Sequence, residues 1–144
     1  MNTSELLLAE LPTPTEDSQP FWDGCNRQEL LLQHCAGCGH VFYYARRLCP
    51  SCGSTQLSWQ AARGRGTVYS FSQIHVPFQG PHWQSQLPYC VVLIDLQEGP
   101  RLLSRWLAPK AQVPEIGQSA LVAFVQVGQQ HLPFFGPDRQ ERPR

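Results

Sequence analysis

The residues best equipped for chemistry in this chain are cysteines, and four of the six lie in one stretch, CAGCGHVFYYARRLCPSCGS, residues 35–54. Cys35 and Cys38 form one C-x-x-C pair, and Cys49 and Cys52 form the other. Two intervening residues let both sulfurs of a pair face one point. Two such pairs complete a tetrahedron of thiolates, which suits zinc. Gly39 and Gly53 follow the pairs, where a knuckle reverses the chain with positive φ, and Pro50 pre-sets φ inside the second turn. A redox dithiol of thioredoxin type would need only one pair, at the head of a helix that follows a strand. The duplicated pair is therefore expected to bind structural zinc, although iron in a rubredoxin-type site would take the same ligands. Four cysteines close the coordination shell and leave no open position for water or substrate. His34 and His40 flank the first knuckle and read as strand and turn residues, not ligands. Arg46 and Arg47 lie between the pairs, placed to offset the charge of four thiolates on one divalent ion, or to face solvent or a partner.

No catalytic set accompanies the cysteines. Cys90, in PYCVVLI, has no basic neighbour and reads as a buried, inert thiol. Cys25 reads as a packing residue, Asp95 as an aspartate that caps or orients a turn, and His75, His82 and His131 as scattered over strand and loop. No Ser-His-Asp triad or carboxylate pair stands out, so independent catalysis is not expected.

The elements that must carry these residues are mostly strands. EDSQPFWDGCNRQEL predicts a short amphipathic helix: Asp17 or Ser18 caps it, Pro20 is tolerated in its first turn, and Gly24 weakens it. Phe21, Trp22 and Cys25 fall on one side, facing either their own domain or another protein. ELLLQHC and HVFYYA read as the strands entering and leaving the first knuckle. Beyond the second knuckle, Thr67–Val76, YCVVLIDL, RLLSRWL, SALVAFVQVG and QHLPFF read as five strands, with Arg101 and Arg105 outward. Five short antiparallel strands have edges to hide, and closure into a barrel hides them. The expected fold is mainly β: a short N-terminal helix, a rubredoxin-like zinc ribbon, then a five-stranded OB-fold barrel. An open meander or SH3-like barrel is the alternative. The expected boundaries are 1–28 for tail and helix, 29–60 for the ribbon, 61–136 for the barrel and 137–144 for a loose tail.

Composition narrows the function. The formal charge is zero and Lys110 is the only lysine, which argues against a protein devoted to gripping phosphate backbones. Fifteen aromatic rings (4 Trp, 4 Tyr and 7 Phe) keep single-stranded nucleic-acid binding as the alternative function, since OB barrels stack bases on aromatics. No secretory signal or membrane-length apolar run is apparent, so the expected location is cytoplasmic, where paired cysteines favour metal over disulfide.

In order along the chain, PFWDG (20–24), CAGCG (35–39), CPSCGS (49–54), GRGTVYSFS (64–72), LPYCVVLIDLQEGPRL (87–102) and IGQSALVAF (116–124) resemble a bacterial and archaeal family. It comprises zinc-ribbon plus OB-fold proteins associated with acyl-CoA enzymes, long filed as a domain of unknown function. Its members often carry a proline pair before an arginine between the knuckles. Here Tyr44 and Ala45 stand at the proline positions, and Arg46 matches the arginine. The resemblance implies a non-catalytic companion of thiolase-like enzymes, hydroxymethylglutaryl-CoA synthase or enoyl-CoA hydratases, one that bridges partners or helps hold acyl-CoA. On that view Arg63, Arg65, Tyr69 and Phe71 are candidate CoA contacts, arginines for phosphate and aromatics for adenine. Phe21, Trp22, Arg46 and Trp83 are candidate partner contacts. The segment 77–88, which holds Phe78, His82 and Trp83, reads as a lip over a shared channel or as a loop folded over a barrel end.

Overall fold

A computed structural model describes residues 11–76, 84, 86–108 and 112–138. Trp83, with Phe78 and His82, lies outside the described residues. Among the described residues, one helix, α1 (Gln19–Asn26), is followed by eight strands: β1 (Leu31–Cys35), β2 (Val41–Phe42), β3 (Leu57–Ala61), β4 (Arg65–Ile74), β5 (Tyr89–Leu96), β6 (Arg101–Arg105), β7 (Ser119–Val127) and β8 (Gln130–Pro137). No helix among the described residues is long and apolar enough to cross a membrane.

The first three strands form an antiparallel sheet in the order β2-β1-β3, and the other five a second sheet in the order β6-β5-β4-β7-β8. The second sheet closes on itself. Trp106, just past β6, bridges Phe135 of β8 in parallel, and the Leu107 N–H donates to the Phe135 carbonyl at 2.7 Å. Antiparallel pairing throughout, with one parallel closure, is the OB arrangement and excludes the open meander. YCVVLIDL occupies an internal strand, and its burial alternates strictly, with Cys90, Val92, Ile94 and Leu96 inward. β8 runs further than QHLPFF. Pro133 and Pro137 are tolerated there because β8 has a full ladder only on the β7 side.

One apolar cluster joins the two sheets. Val68, Val92, Ile94, Leu102, Trp106 and Phe135 fill the barrel, and Phe21, Cys25, Leu30 and Leu32 enter the same cluster from the N-terminal side. Pro20 sits in the first turn of α1, and Ser18 is its N-cap residue. Gly24 does more than weaken the helix: a Cβ there would lie 2.8 Å from the Leu31 side chain, so the glycine lets α1 press onto β1.

One expectation is corrected and another is refined. Phe21 is 5% exposed and stacks edge-on against Trp22 and Tyr43, at 4.9 and 5.4 Å between ring centres, so it belongs to the chain's own core and offers nothing to a partner. Arg105 takes the outward strand position expected of it, but it is not free in solvent there. It is partly buried, and burial pulls its pKa down.

Candidate metal centre and its surroundings

Each cysteine pair sits in a knuckle built the same way. In the first, the Cys35 N–H donates to the His40 carbonyl at 2.9 Å and the Gly39 N–H to the Cys35 carbonyl at 2.8 Å. In the second, the Cys49 N–H donates to Ser54 and the Gly53 N–H to Cys49, both at 2.9 Å. Gly39 and Gly53 have φ of 79° and 80°, the left-handed conformation that the trailing glycines predicted. The Ala36 N–H donates to the Gln56 carbonyl at 2.9 Å and ties the first knuckle to the chain leaving the second.

The result brings all four sulfurs within 4.8 Å of one another, with Cys35–Cys52 and Cys38–Cys49 each at 3.6 Å. A tetrahedron with metal–sulfur bonds of about 2.3 Å has sulfur–sulfur edges of about 3.8 Å, so the cage fits one zinc-sized ion. Charge makes the same point. Cys35 is drawn down to about 6, first by the Cys38 backbone N–H and also by the Cys52 sulfur. Cys52 is pushed up to about 12: the Ser54 N–H favours its thiolate, but the sulfurs of Cys35, Cys38 and Cys49, with burial, together outweigh it. Four thiolates this close ionise together only around a cation. Cys35, Cys38, Cys49 and Cys52 would hold the metal and fill its shell, and what it supplies is a cross-link. His34 and His40 are not in the cluster. His40 instead stacks on Phe42, with ring centres 5.7 Å apart.

The two arginines between the knuckles serve differently. Arg47 bonds Asp17 at 2.7 Å, which raises its pKa, and also pairs with Glu16. Its charge is thus directed to the N-terminal segment. Arg46 has an exposed side chain, while its backbone is held at both ends: its N–H donates to Gln33 Oε1 at 2.8 Å, and Gln33 Nε2 donates to its carbonyl at 2.9 Å. Gln33 is a buried amide that sequence reasoning missed. An isolated glutamine inside LLLQHC was the available signal. Together these contacts fix the arm 43–48, which presents Tyr44 and Leu48, both more than half exposed. Tyr44, Arg46 and His40 line a groove of about 520 Å³ that runs to Glu98 and Arg101 at the β5–β6 turn.

The candidate CoA contacts are spread along β4 and the turn before it. Arg63 is exposed, and its backbone N–H donates to Glu98 Oε2 at 3.0 Å. Arg65 forms an ion pair with Asp138. Tyr69 is the extra residue of a β-bulge, where the register with β5 shifts between Val68 and Ser70, and Arg101 lies over its ring at 3.3 Å. Phe71 lies partly buried against the core. Asp95 forms a two-pronged bond with Arg101, at 2.6 and 3.2 Å, as an orienting aspartate should. Cys25 and Cys90 are buried, and burial pushes both thiols up, Cys25 to about 12, so neither is a nucleophile.

Comparison with known proteins agrees with this architecture piece by piece. Residues 22–58 match the family described as "ChsH2, rubredoxin-like zinc ribbon domain", and residues 59–125 match "ChsH2, C-terminal OB-fold domain". A "DUF35 domain-containing scaffold protein" of Methanocaldococcus jannaschii is 30% identical over 99 residues, covering 68% of this chain and 69% of that protein. A Thermomonospora curvata protein named "Probable enoyl-CoA hydratase alpha subunit" is 30% identical over 127 residues, covering 88% of this chain. The chain spans only 39% of that longer subunit. The solved structure of an "Ltp2-ChsH2(DUF35) aldolase" superposes with a TM-score of 0.78 at 29% identity, covering 88% of this chain and 98% of that one. With both halves matched in order and the four ligands in place, this chain belongs to the DUF35 family of zinc-ribbon and OB-fold proteins.

Proposed function

We propose that the chain is a non-catalytic accessory or scaffold protein of an acyl-CoA enzyme complex. It binds a thiolase-like or enoyl-CoA hydratase partner and helps hold acyl-CoA. The observation that carries this reading is that, among the described residues, the cysteines and the strand-end aspartate are already committed. Four cysteines fill the metal's shell, Asp95 is tied to Arg101, and Cys25 and Cys90 are buried. The names of the relatives support it: one is a scaffold protein, one a hydratase subunit, and the solved neighbour an aldolase that contains a DUF35 component. Nucleic-acid binding gains nothing comparable, since Arg65 is engaged by Asp138 and Arg101 occupies one face of the Tyr69 ring.

The arm 43–48 is the docking surface in this proposal, with Tyr44, Arg46 and Leu48 as contacts. Exposed tyrosine and arginine are the residue types that dominate interface energetics. A tagged chain purified from its native cell is expected to bring down a thiolase-like or hydratase enzyme. Tyr44→Ala with Arg46→Ala should cut recovery about tenfold or more while leaving the circular dichroism spectrum unchanged. Turnover of acyl-CoA by the isolated chain would defeat the reading.

The CoA contact is tested separately. Arg63→Ala is the clean variant, because removing Arg65 would also break its pair with Asp138. Calorimetric titration with CoA, with the partner present, should show affinity lowered about tenfold by Arg63→Ala, the value of one charge-assisted phosphate contact. Unchanged affinity removes Arg63 from the proposed site.

A further inference from the structure

A cleft of about 300 Å³, lined by none of Tyr44, Arg46 and Leu48, lies on the outer wall of the barrel. Its position follows from strand alternation. On β5, on β6 and just past it, Cys90, Val92, Leu102 and Trp106 turn inward, which leaves Tyr89, Val91, Leu103 and Arg105 on the outer face. Val91 pairs with Arg105 and Leu93 with Leu103 across the two strands. Phe134 of β8, Trp22 of α1 and Tyr43 of the arm also line it. The walls are mostly apolar, and Arg105 is the one charged residue among them.

Arg105 is incompletely satisfied. It donates from Nη2 to Gln86 Oε1 at 2.8 Å, and its guanidinium lies 5.4 Å from the centre of the Tyr89 ring. Its Nη1 is buried without a hydrogen-bond partner. Among the described residues no carboxylate pairs with it, and residues 77–88, which lead into β5, contain no acid in the sequence. Burying a cation with an idle donor is unfavourable unless something supplies the missing charge and acceptor. An apolar cleft of this size with one convergent polar group has the makeup of a small-molecule site.

We propose that this cleft binds a small amphipathic carboxylate. Its carboxylate pairs with the Arg105 guanidinium, and its apolar body lies against Trp22, Leu103 and Phe134. A neutral ligand of the same shape leaves the donor idle, and a cationic one is repelled. The inference does not depend on the accessory role, because it concerns a free carboxylate and not a CoA thioester.

The test is calorimetric titration of the full, zinc-loaded chain near neutral pH with octanoate, 1-octanol and octyltrimethylammonium, each below its micelle concentration. Octanoate is expected to bind about tenfold or more tighter than octanol, the discrimination one charged hydrogen bond provides, and octyltrimethylammonium not at all. Arg105→Gln should level octanoate with octanol, and Arg105→Lys should restore part of the difference. Leu103 is 55% exposed, so Leu103→Glu leaves folding intact while placing a competing carboxylate in the lining. It should cost octanoate about tenfold or more. Equal affinity for octanoate and octanol, no octanoate binding up to millimolar concentration, or octanoate binding unmoved by Arg105→Gln and Leu103→Glu would each overturn the proposal. Octanoyl-CoA serves as the separating arm: if it binds the Leu103→Glu chain as before while octanoate is lost, the two ligands use different sites.

Discussion

A Cys49→Ser chain will purify without stoichiometric zinc and will lose amide protection across both knuckles while keeping it in the barrel. Hydrogen exchange read by mass spectrometry, with metal content by atomic emission, checks both halves. The expectation rests on how little else holds the knuckle end together. Its apolar cluster consists of Cys35, Phe42 and Cys49 with Leu57 against it, and two of those are metal ligands. A core of that size cannot offset the entropy of ordering the segment. Structural zinc in isolated fingers contributes about 10–16 kcal/mol of apparent folding free energy, so losing it removes nearly all that stabilises the knuckles. Removing one ligand leaves three thiolates whose repulsion is no longer balanced. The amides of Gly39 and Gly53, bonded to the carbonyls of Cys35 and Cys49, should exchange fastest. The other end of the ribbon should resist. Leu30 and Leu32 belong to the barrel's own cluster, Trp59 packs against it, and the Ala62 N–H donates to the Leu30 carbonyl at 2.7 Å. A chelator such as a phenanthroline should give the same graded pattern. Metal-free protein with knuckle amides as protected as before would show that the thiolate cage is not what holds the ribbon.

The contrast between those two ends also explains what the amino-acid order disclosed. The cage was legible because its determinants are local: a fixed ligand spacing, and glycines at the two positions where φ must be positive. The barrel was legible because alternation is local too, and YCVVLIDL reads as an internal strand before any partner is known. What alternation does not disclose is what covers the outer face. Arg105 sits on an outward position, as expected. But α1 and the arm 43–48 come back over that face and turn solvent into a cleft. Phe21 was ambiguous for the same reason, since a helix with one aromatic side does not say whether that side meets its own barrel or another molecule. Gln33 and Arg46 are 13 residues apart in the chain, and their reciprocal bonds follow from the path of the arm, not from any pattern in it. Arg101 over Tyr69 likewise needs the β4–β5–β6 register before it can be seen.

The glycines of ARGRGTVYSF mark the place where local reading and tertiary structure divide most sharply, and Gly66→Ala is expected to be a costly single-methyl change in the barrel. In the sequence, Gly64 and Gly66 stand between and beside Arg63 and Arg65, the candidate phosphate contacts, and nothing local separates a bend from a ligand's approach. The structure gives each glycine a different reason. Gly64 has φ of 73° and accepts a bond from the Val122 N–H at 2.8 Å, so it is a turn residue pinned to β7. Gly66 is buried within β4, between Leu96 of β5 and Ala120 of β7. A Cβ there would overlap the Asp95 carbonyl oxygen and lie 2.8 Å from Ile94 Cγ2. Neither neighbour can yield cheaply, because the carbonyl belongs to the backbone and Ile94 is fully buried. β4 must therefore move away from β5, at the centre of the sheet. Overpacking of this kind costs about 3 kcal/mol. In a domain of this size that corresponds to a Tm lower by about 6–12 °C, read by calorimetry on zinc-loaded protein. If Gly66 were present for a ligand's sake, the outcome would reverse: Gly66→Ala would keep its Tm and lose CoA affinity. The two readings thus make opposite predictions from one variant, and the close approach of two strands, with no ligand involved, already accounts for the missing side chain.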